Sequence, residues 1–211
     1  MVVKDYPEGS YNSEVFPKQI TVLHLAAFFG AKEAANFLIQ HYESFDLRDS
    51  EGRTPLSWAA EKGHEAVVKL LLATGQVDAN LEDTFYHRTP LTWAAEKGHD
   101  AVVQLLLSTG QVEANLWDTF LGITPLCYAA QHGHEAVVRV LLASGQVDAD
   151  MKDNAYGQTP LSHAAQNGHV AVVKLLLATG QVEINSRDKK GRTPLSQAAG
   201  TGHEAVVQLL I

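Results

Sequence analysis

The sequence predicts an all-α repeat solenoid, and three observations carry that expectation. A 22-residue unit, TPLSWAAEKGHEAVVKLLLATG at Thr54 to Gly75, returns at Thr89, Thr124, Thr159 and Thr193, at intervals of 35, 35, 35 and 34 residues. A looser copy, TVLHLAAFFGAKEAANFLIQHY, begins 33 residues earlier at Thr21. Within each unit the apolar residues fall into two short helical runs, and neither reaches the roughly 12 to 15 residues at which a lone helix persists in water. Stability must therefore come from stacking each helical pair on its neighbours.

Thr54 is placed to cap a first helix whose opening residue is Pro55, where a missing N–H costs nothing and φ is already helical. Leu56, Ala59 and Ala60 give that helix a close-packing apolar face. Gly63 stops it, because a tight helix end requires the left-handed conformation that glycine tolerates. A second helix runs from about His64 through Ala66, Val67, Val68, Leu70, Leu71 and Leu72 to Gly75. It is apolar on almost every side, which predicts that it is covered on several sides. Lys69, Gln104, Arg139, Lys174 and Gln208 fill its one regularly polar slot, which is expected to face water.

The pattern T-P-L-x-x-A-A-x-x-G-H-x-x-V-V-x-L-L-L-x-x-G resembles the ankyrin repeat from about residue 20 to residue 211. The resemblance implies paired antiparallel helices joined by outward-pointing β-hairpin fingers, in a curved array that binds other macromolecules. Two departures stand out. The motif's usual histidine after T-P-L survives only as His24, and Ser57, Thr92, Cys127, Ser162 and Ser196 replace it elsewhere, so the family's hydrogen-bond network is altered there. The fingers are also longer between Gly75 and Thr89 than between Tyr42 and Thr54. The stretch LHLAAFFG further resembles the first repeat of arrays in large fungal proteins, often behind a NACHT-type nucleotide-binding domain. No such domain lies in these 211 residues.

Residues 1–18 read as an N-terminal leader of mixed polarity broken by Pro7, Gly9 and Pro17, with Val15 and Phe16 placed to cover the first unit. Residues 19–211 form the array, with units at about 21–53, 54–88, 89–123, 124–158, 159–192 and 193–211. The sixth unit stops at Leu209, Leu210 and Ile211 inside its second helix. The expectation is a fragment or incomplete gene product, with a shortened natural cap as the alternative. A monomer is expected, with association through the uncovered last unit as a second possibility.

A content of 45% hydrophobic and 19% charged residues suits a folded chain. The net charge of −8 disfavours a nucleic-acid partner. The basic group Arg187, Lys189, Lys190 and Arg192 reads as a solvated finger. A single cysteine excludes an intrachain disulfide and fits a reducing compartment. With no apolar run near 18 residues and no signal-peptide stretch, the sequence points to no membrane contact and an intracellular, cytoplasmic setting, with the nucleus left open.

Catalytic and metal readings compete poorly with packing. His64, His99, His134, His169 and His203 recur once per unit, but stacked helices lie about 8 to 10 Å apart, too far to share one zinc ion about 2 Å from each ligand. His132 and His134 form a pair without acid or thiol support. Cys127 occupies the slot of Ser57, Thr92 and Ser162, so it reads as a small buried residue and not as a nucleophile based by His132 or His163. No phosphate-binding glycine motif occurs. The expectation is no enzyme, no cofactor and no metal.

Partner binding is the reading that remains. Between the units beginning at Thr54 and Thr89 the helices change mildly, whereas Glu82, Tyr86, His87 and Arg88 become Trp117, Leu121, Gly122 and Ile123. Diversity concentrated in the fingers suits recognition of a protein partner. Phe85, Tyr86, Trp117, Phe120, Leu121 and Tyr156 are the candidate anchors there, or else each packs on the next finger. A second candidate stripe stands two residues after each T-P-L leucine, as Leu25, Trp58, Trp93, Tyr128, His163 and Gln197. Of these, Trp58, Trp93, Tyr128 and His163 are candidate concave-face contacts, with inter-repeat packing as the alternative role.

Overall fold

The computed structural model describes residues 17–41 and 44–211. The expected cover from Val15 and Phe16 lies outside these residues, as does Tyr42. Among the described residues the chain forms six helical pairs: α1 (Val22–Phe29) with α2 (Lys32–His41), α3 (Pro55–Lys62) with α4 (Glu65–Ala73), α5 (Pro90–Lys97) with α6 (Asp100–Ser108), α7 (Pro125–His132) with α8 (Glu135–Ala143), α9 (Pro160–Gln166) with α10 (Val170–Ala178), and α11 (Pro194–Gly200) with α12 (Glu204–Leu210). The odd-numbered helices stack on one another in one layer and the even-numbered helices in a second.

Each odd-numbered helix starts as its residues require. The hydroxyls of Thr54, Thr89, Thr124 and Thr159 accept from the backbone N–H three residues on, and proline follows at the first helical position. A cap of this kind contributes about 1 kcal/mol. Gly63 ends α3 with φ of 74°. The core then repeats: Leu56, Ala59, Ala60, Val67, Val68 and Leu71 are wholly buried in one unit, and their counterparts are buried in the next. Lys69, Gln104, Arg139, Lys174 and Gln208 are exposed.

The recurring histidines latch consecutive units. The Nε2–H of His99 donates to the Glu61 carbonyl at 2.9 Å, near the end of the preceding odd helix, where carbonyls lack intrahelical partners. His64, His134, His169 and His203 do the same to Phe28, Glu96, Gln131 and Gln166. The imidazoles lie flat against glycine. A Cβ on Gly63 would stand 2.5 Å from Nδ1 of His99, so the glycine is required by this close approach as well as by its backbone.

The first unit keeps a different bridge. His24 is buried, its Nδ1 2.7 Å from the Thr21 hydroxyl, and its Nε2–H donates to the Arg53 carbonyl at 3.0 Å. Burial holds its pKa below the ordinary histidine value. In the later units Ser57, Thr92 and Ser162 turn their hydroxyls to the capping threonine instead. That bond is local, so the bridge to the following finger is given up.

The fingers correct one expectation: among the described residues they contain no β-strand. They are turns, each folded around an aspartate. Below them, Asn80 braces one loop to the next by accepting from the Glu113 N–H and donating to the Gln111 carbonyl, both at 2.9 Å. Asn115 repeats this with Asp148 and Gln146.

Candidate partner-binding surface

Asp83 sits buried at the base of its finger. One carboxylate oxygen accepts from the backbone N–H groups of Phe85 and Tyr86, at 3.0 and 2.6 Å. Asp49, Asp118, Asp153 and Asp188 gather their own finger amides in the same way. Burial alone would raise the Asp153 pKa, but the bonds from His163, Tyr156 and Gln158 outweigh it, and the carboxyl stays below its ordinary range.

The remaining oxygen of each aspartate takes a donor from the odd-numbered helix beneath. Trp58 Nε1–H reaches Asp49 at 2.9 Å, Trp93 reaches Asp83 at 3.0 Å, the Tyr128 hydroxyl reaches Asp118 at 3.0 Å, His163 Nε2–H reaches Asp153 at 2.9 Å, and the Gln197 amide reaches Asp188 at 3.0 Å. Trp58, Trp93, Tyr128 and His163 are only 4–7% exposed, and their polar atoms are committed to holding the fingers. Burial also pushes the Tyr128 hydroxyl pKa upward.

Two arginines, singled out for no role by the sequence reading, complete that floor. The Arg53 guanidinium lies 3.6 Å from the Trp58 ring centre and 4.5 Å from that of Trp93. Arg88 lies 4.6 Å from both the Trp93 and the Tyr128 rings. Aromatic and guanidinium planes therefore alternate from Trp58 to Tyr128. Arg53 pairs with Glu61, and Arg88 with Glu96 at 2.9 Å. Burial would raise the Glu61 pKa, yet Arg53 holds it below its ordinary value. Where glutamine replaces the glutamate at Gln166, Gln158 replaces the arginine and donates to it at 2.9 Å. At Gln131 the facing residue is Ile123, which has nothing to donate, and the buried Gln131 Oε1 is unpaired.

The finger tips, by contrast, are open. Phe85, Tyr86, Phe120 and Tyr156 are 41–69% exposed, and Leu121 is partly covered by its packing on Ile123, Cys127 and Tyr128. Phe85 and Tyr86 meet edge to face at 4.6 Å, and Tyr86 reaches down to Trp93 at 5.9 Å. Trp117 is exposed too. It lines a cleft of about 400 Å³ with Val112, Leu116, Gln146 and Met151, beside the loop leading into its finger.

The fingers are also joined tip to tip. The Thr84 N–H donates to the Glu51 carbonyl at 2.8 Å, the Asn154 N–H to that of Leu121 at 3.0 Å, and the Lys189 N–H to that of Tyr156 at 2.8 Å. Fingers 83–88, 118–123 and 153–158 each hold one residue more, between the aspartate and the end of the turn, than 49–53 and 188–192. Phe85, Phe120 and Ala155 are those extra residues.

Cys127 is fully buried, and burial pushes its thiol pKa up to about 12, so it carries no reactive thiolate. The five recurring histidines spend Nε2 on their latches. No helix among the described residues is long and apolar enough to cross a membrane.

A stack of helical hairpins with its polar network turned inward and a row of apolar tips turned outward defines a helical-repeat solenoid. Comparison with known proteins agrees: the family described as ankyrin repeats (3 copies) matches residues 6–83, 75–153 and 145–211, and the chain belongs to it. The human ASB11 ankyrin repeat domain superposes with a TM-score of 0.77 at 30% identity, over 90% of this chain and 82% of that one. The ankyrin repeat domain of Bcl-3, a unique member of the IkappaB protein family, gives 0.80 at 27% identity, over 92% and 86%. Rabankyrin-5 of Mus musculus is 32% identical over 63 residues, which is 30% of this chain and 5% of that protein. The match thus spans only a small part of that relative. Ankyrin repeat domains generally mediate protein–protein interaction, and the fold is typical of non-enzymatic modules.

Proposed function

We propose that this array is a non-catalytic recognition module, working in a reducing intracellular setting, that binds a protein partner across its three central fingers and the adjoining concave edge. The observation that carries this reading is the division of labour between two sets of apolar residues. Trp58, Trp93, Tyr128 and His163 are buried and hydrogen-bonded as finger supports, whereas Phe85, Tyr86, Phe120 and Tyr156 stand in solvent on neighbouring fingers. Exposed aromatics grouped in this way mark interaction sites, because aromatic anchors dominate interface energetics.

The test replaces Phe85, Phe120 and Tyr156 together with serine, and compares parent and variant as bait in affinity capture. The variant should keep the parent's thermal midpoint within a few degrees and lose the captured protein. Undiminished capture by a folded variant overturns the assignment.

One alternative is favoured by the stretch LHLAAFFG: the array as the sensor or regulatory segment of a larger NACHT-type signalling ATPase. That role requires a nucleotide-binding domain in the same reading frame, and sequencing the full transcript decides it.

A further inference from the structure

The five finger tips form one register, defined by the residue just before each left-handed turn position. Those turn positions are Gly52, His87, Gly122, Gly157 and Gly191, with φ between 56° and 75°. The residues preceding them are Glu51, Tyr86, Leu121, Tyr156 and Lys190. The tip-to-tip bonds confirm the equivalence, since the carbonyls of Glu51, Leu121 and Tyr156 all accept from the following finger. In chain order the row therefore runs acidic, aromatic, aliphatic, aromatic, basic.

We infer that this row is a dock for an amphipathic helix carrying opposite charges at its two ends, its basic end against Glu51 and its acidic end against Lys190. The inference rests on the finger tips being the binding surface, and it names the partner's chemistry. Three features select a helix. Neighbouring repeats lie about 8 to 10 Å apart, and one helix face presents residues seven apart about 10.5 Å from each other at a rise of 1.5 Å per residue. An extended strand repeats a face about every 6.7 Å and falls out of step. The row is also broad, because Phe85 and Phe120 stand beside Tyr86 and Leu121, and that suits the wide apolar stripe of an amphipathic helix better than the narrow edge of a polyproline segment.

The charges select the polarity. Both ends of the row are exposed: Glu51 next to the second finger, and Lys190 beside Lys189, whose N–H bonds the Tyr156 carbonyl. Helices themselves favour acidic residues in the first turn and basic residues in the last. A helix of that ordinary pattern lies antiparallel to the chain order of the fingers.

The experiment uses the full chain and synthetic helical peptides of about 25 residues, long enough at 1.5 Å per residue to span four repeat intervals. All carry the same leucine stripe. One is acidic at its N-terminal end and basic at its C-terminal end, one is acidic at both ends, and one is basic at both. The bipolar peptide should bind at least about tenfold more tightly than either uniform one at low salt, with the advantage shrinking as salt rises. Lys190→Glu should reverse the ranking toward the doubly basic peptide. A fluorophore on the acidic end should approach a label placed near Lys190, and in a Glu51→Lys, Lys190→Glu double variant it should move to the other end of the row.

Equal binding of the three peptides that is still abolished by serine at Phe85, Phe120 and Tyr156 overturns the charge-matched helix while leaving the finger-tip site intact. Loss of the ranking together with indifference to those serines overturns both. Binding of none of the helices, or preference for a proline-rich peptide of period three, overturns the helix.

Discussion

Trp93 donates its indole N–H to Asp83 at 3.0 Å, and Asp83 in turn holds the N–H groups of Phe85 and Tyr86. One buried carboxylate thus ties an exposed finger tip to the floor of the array. Hydrogen bonds to charged groups contribute about 1.5 to 3 kcal/mol, and an unpaired buried partner is costly. Trp93→Phe and Asp83→Asn should each destabilise in urea unfolding by about 1 to 3 kcal/mol. Together they should cost less than their sum by about 1 kcal/mol, the coupling expected of direct partners. Strict additivity would show that the pair is not a support.

This support was partly readable beforehand. The repeat period, threonine caps, glycine stops and water-facing slot all follow from spacing and backbone chemistry, and the helices appear where they predict. The ladder was harder, because register says which positions are equivalent but not which way they face. Its signal lay in side-chain chemistry. Trp58, Trp93, Tyr128, His163 and Gln197 share only the ability to donate a hydrogen bond, and each has an aspartate nine or ten residues upstream. Leu25, the member that cannot donate, has no such aspartate. The apolar finger residues stand out in the sequence as a cluster of chemical change, whereas the cleft that Trp117 lines depends on where the chain turns, which composition does not encode.

The histidine latch predicts unequal glycines. Gly63 and Gly75 both have positive φ, of 74° and 64°, so alanine at either meets a backbone penalty of about 1 to 2 kcal/mol. Only at Gly63 would the new methyl also strike the His99 ring, since nothing lies within 4 Å of a Cβ at Gly75. Gly63→Ala should be the more destabilising by at least about 1 kcal/mol in denaturant titration. Adding His99→Ala should recover part of that gap. Equal effects of the two glycine substitutions would remove the case for a close approach.

Burial separates neighbours within one helix. Leu71 is wholly enclosed between stacked pairs, while Lys69 projects into water. Leu71→Ala should cost about 2 to 5 kcal/mol through lost packing and a residual cavity. Lys69→Ala should stay within about 0.5 kcal/mol. Equilibrium unfolding by circular dichroism measures both, and similar losses would mean that α4 is covered differently from the structure.

The loop braces yield a prediction of the opposite sign, in which two substitutions stabilise. Asn80 and Asn115 each make two bonds to the following loop, one accepted and one donated. Asp46 and Asp150 occupy the same slot and accept from Asp78 and Glu183 at 2.8 and 2.7 Å, but each leaves a buried oxygen unpaired. A carboxylate has no proton to give, so the donated bond is missing. Burial raises the Asp46 pKa, with the Asp78 charge adding to it. A raised carboxyl pKa means that the folded state binds the proton more tightly. Its favourable contribution is therefore complete below the unfolded value of about 3.9 and is lost as pH rises through the folded value. Asp153 and Asp188, held below their ordinary range, contribute the other way, and their stabilisation fades as pH falls through their folded values. Asp46→Asn and Asp150→Asn should each add about 0.5 to 1.5 kcal/mol at pH 7 by restoring the donor. They lie in separate loops, so the gains should add. The gain at Asp46 should also shrink toward pH 3.5, where the parent carboxyl protonates, whereas Asp153→Asn should lower stability at pH 7 and flatten the acid limb. Urea unfolding of each variant between pH 3.5 and pH 7 measures these effects. No gain at neutral pH, or a gain at Asp46 that stays constant into acid, would show that the unpaired oxygens carry no penalty.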